Sequence, residues 1–289
     1  MVPYKRIFLG SSCNNNCLYC SEKKKDSNQA IPDVAVGLAQ KDSPDSIELY
    51  GGEPTTRNDF FSLLDTARNR GYRRIKLVTN ARTCADINTA VRIIESGCHL
   101  FEIKIHHFRA DVHDYITQVT GSFQETVQGL ANLRRINTLQ NTAFSAFISL
   151  RISLSRKNIE DISSIVLAFI PYRIDRFILS FDDCELDLSK VLPHIQNAIN
   201  LTLLNRTWIT TRKIPPCCMQ GFEHHISELY HAHHAGYSKP ETCSSCPLND
   251  LCPGVNDDFA GTGGIHGLKP FQGNEQMIED IRNLTHEKN

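Results

Sequence analysis

Short apolar runs alternate along this chain with longer segments in which apolar residues recur every three to four positions. The short runs have the length and residue types of buried strands, and the longer segments have the spacing of amphipathic helices. Strands are predicted at residues 4–9, 46–50, 75–80, 100–106, 143–154 and 175–180. Helices are predicted at residues 32–40, 60–71, 87–96 and 159–171, with a further helix that ends near 137. This alternation predicts right-handed crossovers and a parallel sheet, and hence an α/β fold.

The pattern changes after the sixth strand. A helix over 191–204 and a strand over 208–214 lead to a break at Pro215 and Pro216, and a last helix is predicted over 275–284. Between them a polar helix is predicted to run to about Ala235, with histidines that are expected to be solvated. This group comprises His224, His225, His231, His233 and His234, beside Glu223 and Glu228. We therefore predict a large domain at 1–205 and a small region at 206–289.

Composition narrows the class of protein. Of the 289 residues, 40% are hydrophobic and 22% are charged, which is typical of a soluble globular protein. The net charge of −1 provides no basic field for nucleic acid. No apolar run resembles a signal peptide or a membrane span. The eleven cysteines form an odd count in tight groups, so metal or redox chemistry in the cytoplasm is expected rather than disulfides.

Three of these cysteines, Cys13, Cys17 and Cys20, lie directly after the first predicted strand. Three thiols cannot all pair with one another as disulfides, and thiolates prefer soft metal centres. A short loop of this kind can bind one face of a four-iron cube and leave the fourth iron open to another ligand. In a barrel of alternating strands and helices, the loop lies at the carboxyl ends of the strands, where active sites are built.

The Cys-x3-Cys-x2-Cys spacing resembles the signature of the radical S-adenosylmethionine (SAM) enzymes. Tyr19, before the last cysteine, could pack beside the adenine or merely wedge the loop. Gly51, Gly52 and Glu53 follow the second strand, and alone they would be an ordinary turn. At this distance from the cysteines they resemble the family's second motif, which hydrogen-bonds the SAM amino group. The resemblance implies a partial (β/α)6 TIM-like barrel, with a small C-terminal auxiliary-cluster domain, that binds SAM on a [4Fe–4S] cluster.

The resemblance also points to further contacts with SAM. Thr79 and Asn80 end the third strand at the same edge of the sheet. Arg151 lies on an otherwise apolar strand and needs a partner, which could be the SAM carboxylate or a barrel carboxylate. His106 and His107 end the fourth strand, where they could touch SAM or substrate, or pack in the core.

As the family implies, the reduced cluster donates one electron to SAM, which is cleaved to methionine and a 5′-deoxyadenosyl radical that abstracts hydrogen from the substrate. The electron would come from a donor such as flavodoxin or ferredoxin. No catalytic residue that acts on the substrate is identified from the sequence.

A second group of cysteines, Cys243, Cys246 and Cys252, has the spacing Cys-x2-Cys-x5-Cys. Spacing alone suggests a zinc knuckle, completed by Cys217, Cys218 or a histidine. Beside the first motif, the stretch resembles the SPASM or shorter twitch extension, which carries auxiliary clusters in radical SAM enzymes. No cysteine follows Cys252, which favours one auxiliary [4Fe–4S] cluster with Cys217 or Cys218 as its fourth ligand. Three other cysteines are expected in the core: Cys84, Cys98 and Cys184.

Three functions are compatible with these observations. The leading prediction is a radical SAM enzyme that modifies a peptide or protein side chain, by analogy with other carriers of auxiliary clusters. The second is a radical SAM dehydrogenase that acts on a small molecule such as an alcohol or amino sugar, which fits the small chain and its single predicted auxiliary cluster. The third, from another class, is a zinc-binding interaction module without catalysis.

Overall fold

The computed structural model describes residues 4–20, 34, 37–38, 45–139, 146–182, 186–230, 236–257, 259 and 268–286. The chain forms two compact units. One comprises Val2–Ile152 with Leu167–Arg176, and the other comprises Ser153–Val166 with Phe177–Asn289. Most of the predicted helix at 32–40 lies outside the described residues, as do Cys184 and the start of the predicted strand at 143–154. The predicted division of the chain at 205/206 stays a prediction.

Seven strands follow one another across a sheet in chain order. They are β1 (Lys5–Phe8), β2 (Ser46–Tyr50), β3 (Arg74–Thr79), β4 (Cys98–Ile105), β5 (Phe147–Leu154), β6 (Arg176–Phe181) and β7 (Trp208–Arg212). Each pair of neighbours from β1 to β5 is parallel. The α/β fold and the parallel sheet predicted from the alternation of elements are confirmed.

Seven helices accompany the strands within the described residues. They are α1 (Phe60–Asn69), α2 (Ile87–Glu95), α3 (Ala110–Thr117), α4 (Ser122–Leu139), α5 (Ile162–Phe169), α6 (Leu188–Leu204) and α7 (Glu275–His286). All except α3 lie close to their predicted positions. The sequence analysis missed α3 because its eight residues mix acidic and polar side chains with only a few apolar ones, although His113, Ile116 and Thr117 are buried.

Local sequence explains where these helices begin and which face they bury. The buried residues of α1 are Phe60, Leu63, Leu64 and Ala67, a spacing that places all four on one helical face. At the start of α2, the carboxylate of Asp86 accepts a hydrogen bond from the Thr89 N–H at 2.9 Å. Losing such an N-cap costs a helix about 1 kcal/mol of stability.

Five charged side chains cross the first five strands, one from each strand, and we call them the charge ladder. Lys76 Nζ on β3 lies 2.8 Å from Glu48 Oε2 on β2 and 2.6 Å from Glu102 Oε2 on β4. At the two ends, Arg6 Nε lies 2.8 Å from Glu48 Oε1, and Arg151 Nη1 lies 3.2 Å from Glu102 Oε1. The charges therefore alternate in sign along the ladder, and its three central members are buried.

The prediction of a polar, solvated helix before Ala235 is wrong over the residues that the structure describes. Glu223–His225 and Ser227–Tyr230 form two short 3-10 turns, in which Glu223, His225 and Glu228 are buried. His225 stacks on Trp208, with ring centroids 5.2 Å apart. Glu228 accepts hydrogen bonds from the Lys213 N–H at 2.6 Å and from the Tyr237 hydroxyl at 2.9 Å. These partners lie 9 to 17 residues away along the chain, so helical periodicity could not reveal them. His224 is exposed as expected, and His231, His233 and His234 lie outside the described residues.

A two-stranded antiparallel sheet, β8 (Tyr237–Ser238) and β9 (Val255–Asn256), flanks the second cysteine group along the chain. Gly254, next to β9, has φ +100°, and a Cβ there would lie 2.2 Å from the Ser238 carbonyl oxygen. This close approach requires glycine. The sequence analysis missed the small sheet because strands of two residues carry no periodicity. Across the described residues, no helix has the length and hydropathy required of a membrane span.

Candidate metal and cofactor site

The Gly-Gly-Glu turn after β2 lies directly against the start of the cysteine loop. The Gly52 N–H donates to the Gly10 carbonyl oxygen at 2.8 Å, and the Glu53 N–H donates to that of Ser12 at 2.8 Å. A Cβ at Gly51 would lie 2.3 Å from the Gly10 oxygen, and one at Gly52 would lie 2.2 Å from the Ser12 oxygen. The two glycines are therefore required for the turn to pack against the cysteine loop. This structural role does not depend on a bound ligand.

The other side of the cysteine loop is attached to the end of α3. The Asn16 N–H donates to the Thr117 carbonyl oxygen and the Leu18 N–H to that of Ile116, each at 2.9 Å. These two donors flank Cys17 in the sequence. The loop is consequently fixed on both sides by main-chain hydrogen bonds, which preorganises the positions of its thiols.

Two asparagines of the loop bind side chains that follow β3. Asn80 Nδ2 donates to Asn14 Oδ1 at 2.6 Å, and Arg82 Nη1 donates to Asn15 Oδ1 at 2.7 Å and to the Asn14 carbonyl oxygen. Arg82 is itself held by Glu125 Oε2, which accepts from Nε at 2.6 Å. The sequence analysis missed Asn14, Asn15 and Arg82, although the run of three asparagines between the first two cysteines was a signal for side-chain bonding.

Glu53 anchors the turn to the end of β3. Its carboxylate accepts hydrogen bonds from the Thr55 N–H and hydroxyl at 3.2 and 2.6 Å. It also accepts from the Thr79 hydroxyl at 2.7 Å and from the Asn80 N–H at 2.6 Å. Both carboxylate oxygens are thus engaged within the protein, and the side chain is buried. The arrangement joins three residues that the sequence placed near SAM: Glu53, Thr79 and Asn80.

Nitrogen atoms lie within hydrogen-bonding distance of the sulfur atoms of the first two cysteines. The Asn15 N–H donates to Cys13 Sγ at 3.3 Å, and Asn80 Nδ2 lies 3.9 Å from the same sulfur. His106 Nε2 lies 3.8 Å from Cys17 Sγ. Thiolate sulfurs bound to iron accept such hydrogen bonds, so the donor set fits an iron–sulfur cluster.

Burial raises the pKa of both thiols, and brings that of Cys17 to about 11. The Asn15 N–H and the ammonium group of Lys104 partly offset this effect by lowering the pKa of Cys13. Lys104 also lowers the pKa of Cys17. The metal-free thiols are therefore protonated at neutral pH. Because iron binds thiolates, a cluster held by this loop would release protons on assembly.

Two cations lie side by side on neighbouring strands, and one of them, Lys104, acts on both thiols. Lys104 and Arg151 are register partners on β4 and β5. Lys104 is two positions after Glu102, and residues two apart share a face of a strand. Of the two partners considered for Arg151, the structure shows the barrel carboxylate, Glu102, while its buried Nε has no hydrogen-bond partner among the described residues. The sequence analysis missed Lys104, which the alternation of polar residues along β4 could have indicated.

The remaining candidates near the loop differ in exposure. Tyr19 is 39% exposed. His107 is buried, and its Nδ1 accepts a hydrogen bond from the Arg109 N–H at 3.0 Å, so it packs in the core. His106 instead contacts Cys17. The structure thus shows different environments for two adjacent histidines that the sequence could not distinguish.

The second cysteine group surrounds a cavity within the C-terminal unit. The cysteines that line it are Cys217, Cys243, Cys246 and Cys252. Cys218 is not part of this lining, and its thiol is hydrogen-bonded to that of Cys217. Main-chain N–H groups point at two of the lining sulfurs, from Gly254 to Cys252 at 3.3 Å and from Phe271 to Cys246 at 3.5 Å.

All ten cysteines that the structure describes are free thiols. Cys84 and Cys98 are fully buried, as predicted for core residues. No group of three or more Cys, His, Asp or Glu side chains in the described part of the chain is spaced to hold a single metal ion.

A sequence profile described as the radical SAM superfamily matches residues 7–162, just over half of the 289 residues. Among curated proteins, the chain is 26% identical over 167 residues to a "Probable GTP 3′,8-cyclase" of Metallosphaera sedula, a match that covers 56% of this chain and 50% of the relative. It is 25% identical over 130 residues to a protein of the same name from Saccharolobus solfataricus, covering 43% and 41%. The chain therefore spans about half the length of these relatives or less.

Solved structures share the fold. The native protein anSMEcpe with bound AdoMet and the Kp18Cys peptide superimposes with a TM-score of 0.62 at 12% identity, covering 99% of this chain and 97% of that one. SuiB of Streptococcus suis, bound to its precursor peptide SuiA, superimposes with a TM-score of 0.56 at 16% identity, covering 73% and 49%.

Proposed function

The chain belongs to the radical SAM superfamily, whose members are enzymes that use a [4Fe–4S] cluster and SAM, and from this premise we propose that Cys13, Cys17 and Cys20 hold that cluster. The observation that carries the proposal is the set of nitrogen atoms within hydrogen-bonding distance of the sulfurs of a loop fixed on both sides. The bound cluster and SAM supply an electron transfer and a carbon-centred radical that can abstract hydrogen.

The chain's own residues orient SAM in this proposal. The Gly51–Gly52 turn offers its main chain to the SAM amino group, and Glu53 holds that turn against β3. Lys104 and Arg151 provide two adjacent cations for the SAM carboxylate, because Arg151 retains N–H groups beyond the one bound to Glu102. Tyr19 remains a proposed neighbour of the adenine.

Replacement of the cysteines tests this activity. Cys13→Ala, Cys17→Ala and Cys20→Ala are each expected to abolish formation of 5′-deoxyadenosine from SAM, because each removes a cluster ligand. The product is quantified by chromatography after anaerobic reconstitution, with dithionite as reductant and then with flavodoxin or ferredoxin, the proposed physiological donors. Cys98→Ala, at a core cysteine at the start of β4, is the matched control and should retain activity. Formation of 5′-deoxyadenosine at the wild-type rate in any of the three loop variants would overturn the assignment.

We further propose that Cys217, Cys243, Cys246 and Cys252 hold one auxiliary [4Fe–4S] cluster. These four cysteines line one cavity, and two of them already receive main-chain N–H donors. A cube with four cysteine ligands has no open iron, so this cluster would transfer electrons rather than bind substrate. The position of Cys218 outside the cavity lining supports the choice of Cys217 as the fourth ligand.

For the substrate, a peptide or protein side chain is the first proposal. Its support is the fold shared with anSMEcpe and SuiB, both of which were crystallised with peptides. The curated relatives named GTP 3′,8-cyclase support a second candidate, a purine nucleotide, which belongs to the small-molecule class. A triphosphate is bound by cations, and Lys76 is not available for this role. Its charge is already neutralised within the charge ladder by Glu48 and Glu102, which weakens the case for a nucleotide substrate.

Substrate-dependent SAM cleavage distinguishes the two candidates. The reconstituted protein is incubated with SAM, dithionite and either the Kp18Cys peptide or GTP, and the products are analysed by mass spectrometry. A peptide modifier is expected to change the mass of the peptide and leave GTP intact. Conversion of GTP with an unchanged peptide would favour the nucleotide reading.

A further inference from the structure

His106 is the first residue after β4, and its imidazole contacts a cysteine of the first group. The Nε2 atom lies 3.8 Å from Cys17 Sγ, and the two residues are separated by 89 positions in the sequence. None of the roles assigned to the cysteine loop uses this side chain. The question is what an imidazole in this place does for a metal-bound sulfur.

A single helix fixes both partners of this contact. The main-chain N–H of His106 donates to Nδ1 of His113 on α3 at 3.3 Å, and the centroids of the two imidazole rings lie 5.4 Å apart. The last two residues of α3, Ile116 and Thr117, accept the main-chain hydrogen bonds that flank Cys17. Helix α3 thus holds the main chain of His106 through His113 and the main chain on both sides of Cys17 through its last two residues, so the fold brings Nε2 and Sγ into contact.

The chemistry of the contact changes when Cys17 binds iron. The sulfur is then a thiolate, which accepts hydrogen bonds, and the imidazole donates to it in the tautomer that carries the proton on Nε2. Reduction adds negative charge to the cluster and its sulfurs, so a donor at a ligand sulfur stabilises the reduced form more than the oxidised form. Hydrogen bonds to the sulfurs are one of the factors that set cluster potentials.

We propose that His106 donates a hydrogen bond to the Cys17 thiolate and thereby raises the reduction potential of the N-terminal cluster. The inference rests on the proposed function, in which Cys17 is a cluster ligand. His106 is a positioning residue in this role, because it acts on the cluster through Cys17. The consequence for the enzyme is a cluster that a donor of moderate potential can reduce.

The test measures the potential of the cluster in the full-length, anaerobically reconstituted protein. The electron paramagnetic resonance signal that responds to added SAM identifies the N-terminal cluster and is followed in a redox titration. His106→Phe keeps a ring but removes the N–H, and we expect its reduction equilibrium to weaken about tenfold, a shift of about 59 mV for one electron. His106→Gln restores an N–H donor and should recover part of the shift. His99→Phe, near the start of β4 and so at the other end of the strand from His106, is the matched control and should leave the potential unchanged.

A second measurement detects the contact in the wild-type protein and uses a substitution only as its control. In wild-type protein labelled with 15N-histidine, pulsed electron paramagnetic resonance of the reduced cluster should detect a weak 15N coupling, and His106→Gln should lose it. Absence of that coupling, or an unchanged potential in His106→Phe, would overturn the proposal. Failure of the proposed function is a separate result, since it would appear as a SAM-responsive signal that persists in Cys17→Ala.

Discussion

At the scale of single residues, the candidate site depends on contacts that leave no room for an added atom. The Gly52 Cα lies where a methyl group would come within 2.2 Å of the Ser12 oxygen and 2.5 Å of the Ser11 oxygen. Both neighbours are main-chain atoms, which cannot rotate away as a flexible side chain could. A change at Gly52 must therefore move the cysteine loop itself.

We expect Gly52→Ala to fold but to lose the N-terminal cluster. Displacement of the Ser11–Ser12 backbone shifts Cys13, so iron bound after reconstitution should fall from about eight to about four per chain, since a cube holds four irons. Iron analysis and circular dichroism measure the two properties separately. Gly121→Ala is the control for a substitution without a steric clash, because no atom lies within 4 Å of the Cβ position of Gly121, and its φ of +84° makes the substitution the more demanding one for the local backbone. Full iron content in Gly52→Ala would show that the loop tolerates the shift.

Which of these residues could be predicted depended on how far apart the partners lie in the sequence. Cys13, Cys17 and Cys20 were found because their spacing is local. The alternation along β4 could have marked the face on which Lys104 lies, but the groups on which Lys104 and Arg82 act are more than sixty positions away, and no local pattern identifies such partners. Arg151 was recognised as a residue in need of a partner, but the choice between two partners required coordinates.

At the scale of the elements, strand and helix periodicity predicted the sheet and most helices. Short polar elements were not predicted. The eight-residue helix α3 was missed, yet it fixes the cysteine loop and orients His106. The charge ladder was likewise not foreseen. Its members are single charged residues on different strands, and only the register of the sheet brings them together.

Replacing the central cation of the charge ladder should destabilise the fold. Lys76→Met leaves Glu48 and Glu102 buried without their shared partner, and breaking a buried ion pair in this way costs about 3–5 kcal/mol. Urea unfolding measures the change in the free energy of unfolding. Lys190→Met, at an 82% exposed side chain, is the control and should change it by less than about 0.5 kcal/mol. A loss below about 1 kcal/mol in Lys76→Met would mean that water or relaxation compensates the two carboxylates.

The same ladder predicts a pH dependence. Burial raises the pKa of Glu48, but the opposing effect of Lys76, with that of Arg6, is larger, so the pKa falls from 4.5 to about 2. Because the folded value is lower than the unfolded one, ionised Glu48 stabilises the fold above pH 4.5, and this contribution disappears as the pH falls toward 2. The difference in stability between wild type and Glu48→Gln should therefore narrow as the pH is lowered from 5 to 3 in urea titrations. Glu241→Gln, on an exposed turn, should show no such trend, and a constant difference for Glu48→Gln would contradict the prediction.

At the scale of the whole molecule, each of the two compact units carries one cysteine group. The N-terminal group follows the spacing of the superfamily to which the chain belongs, so its prediction from sequence was direct. The second group was ambiguous, because Cys217 and Cys218 are neighbours in the sequence and equally suitable in chemistry. The cavity lining includes Cys217 but not Cys218, which is the basis on which we propose Cys217 as the ligand.

The iron content of two matched variants tests that distinction. Cys217→Ser is expected to lose the auxiliary cluster and to retain about four irons per chain, whereas Cys218→Ser should retain about eight. Iron and zinc are both measured after anaerobic purification and reconstitution. The opposite pattern would assign the ligand to Cys218, and zinc in place of iron at this group would favour a zinc knuckle.

The alternating signs of the charge ladder also bear on how the chain folds. Parallel strands rich in Ile, Leu and Val can pair with many partners, because their apolar side chains are interchangeable. With the order of β1 to β5 as observed, every buried cation meets an anion. If β2 and β4 were placed side by side, Glu48 and Glu102 would face each other, and a slip of one residue would turn a charged side chain to the opposite face of its strand. The ladder thus disfavours misassembled sheets, and its effect should be sought in the yield and rate of refolding as well as in the stability of the finished protein.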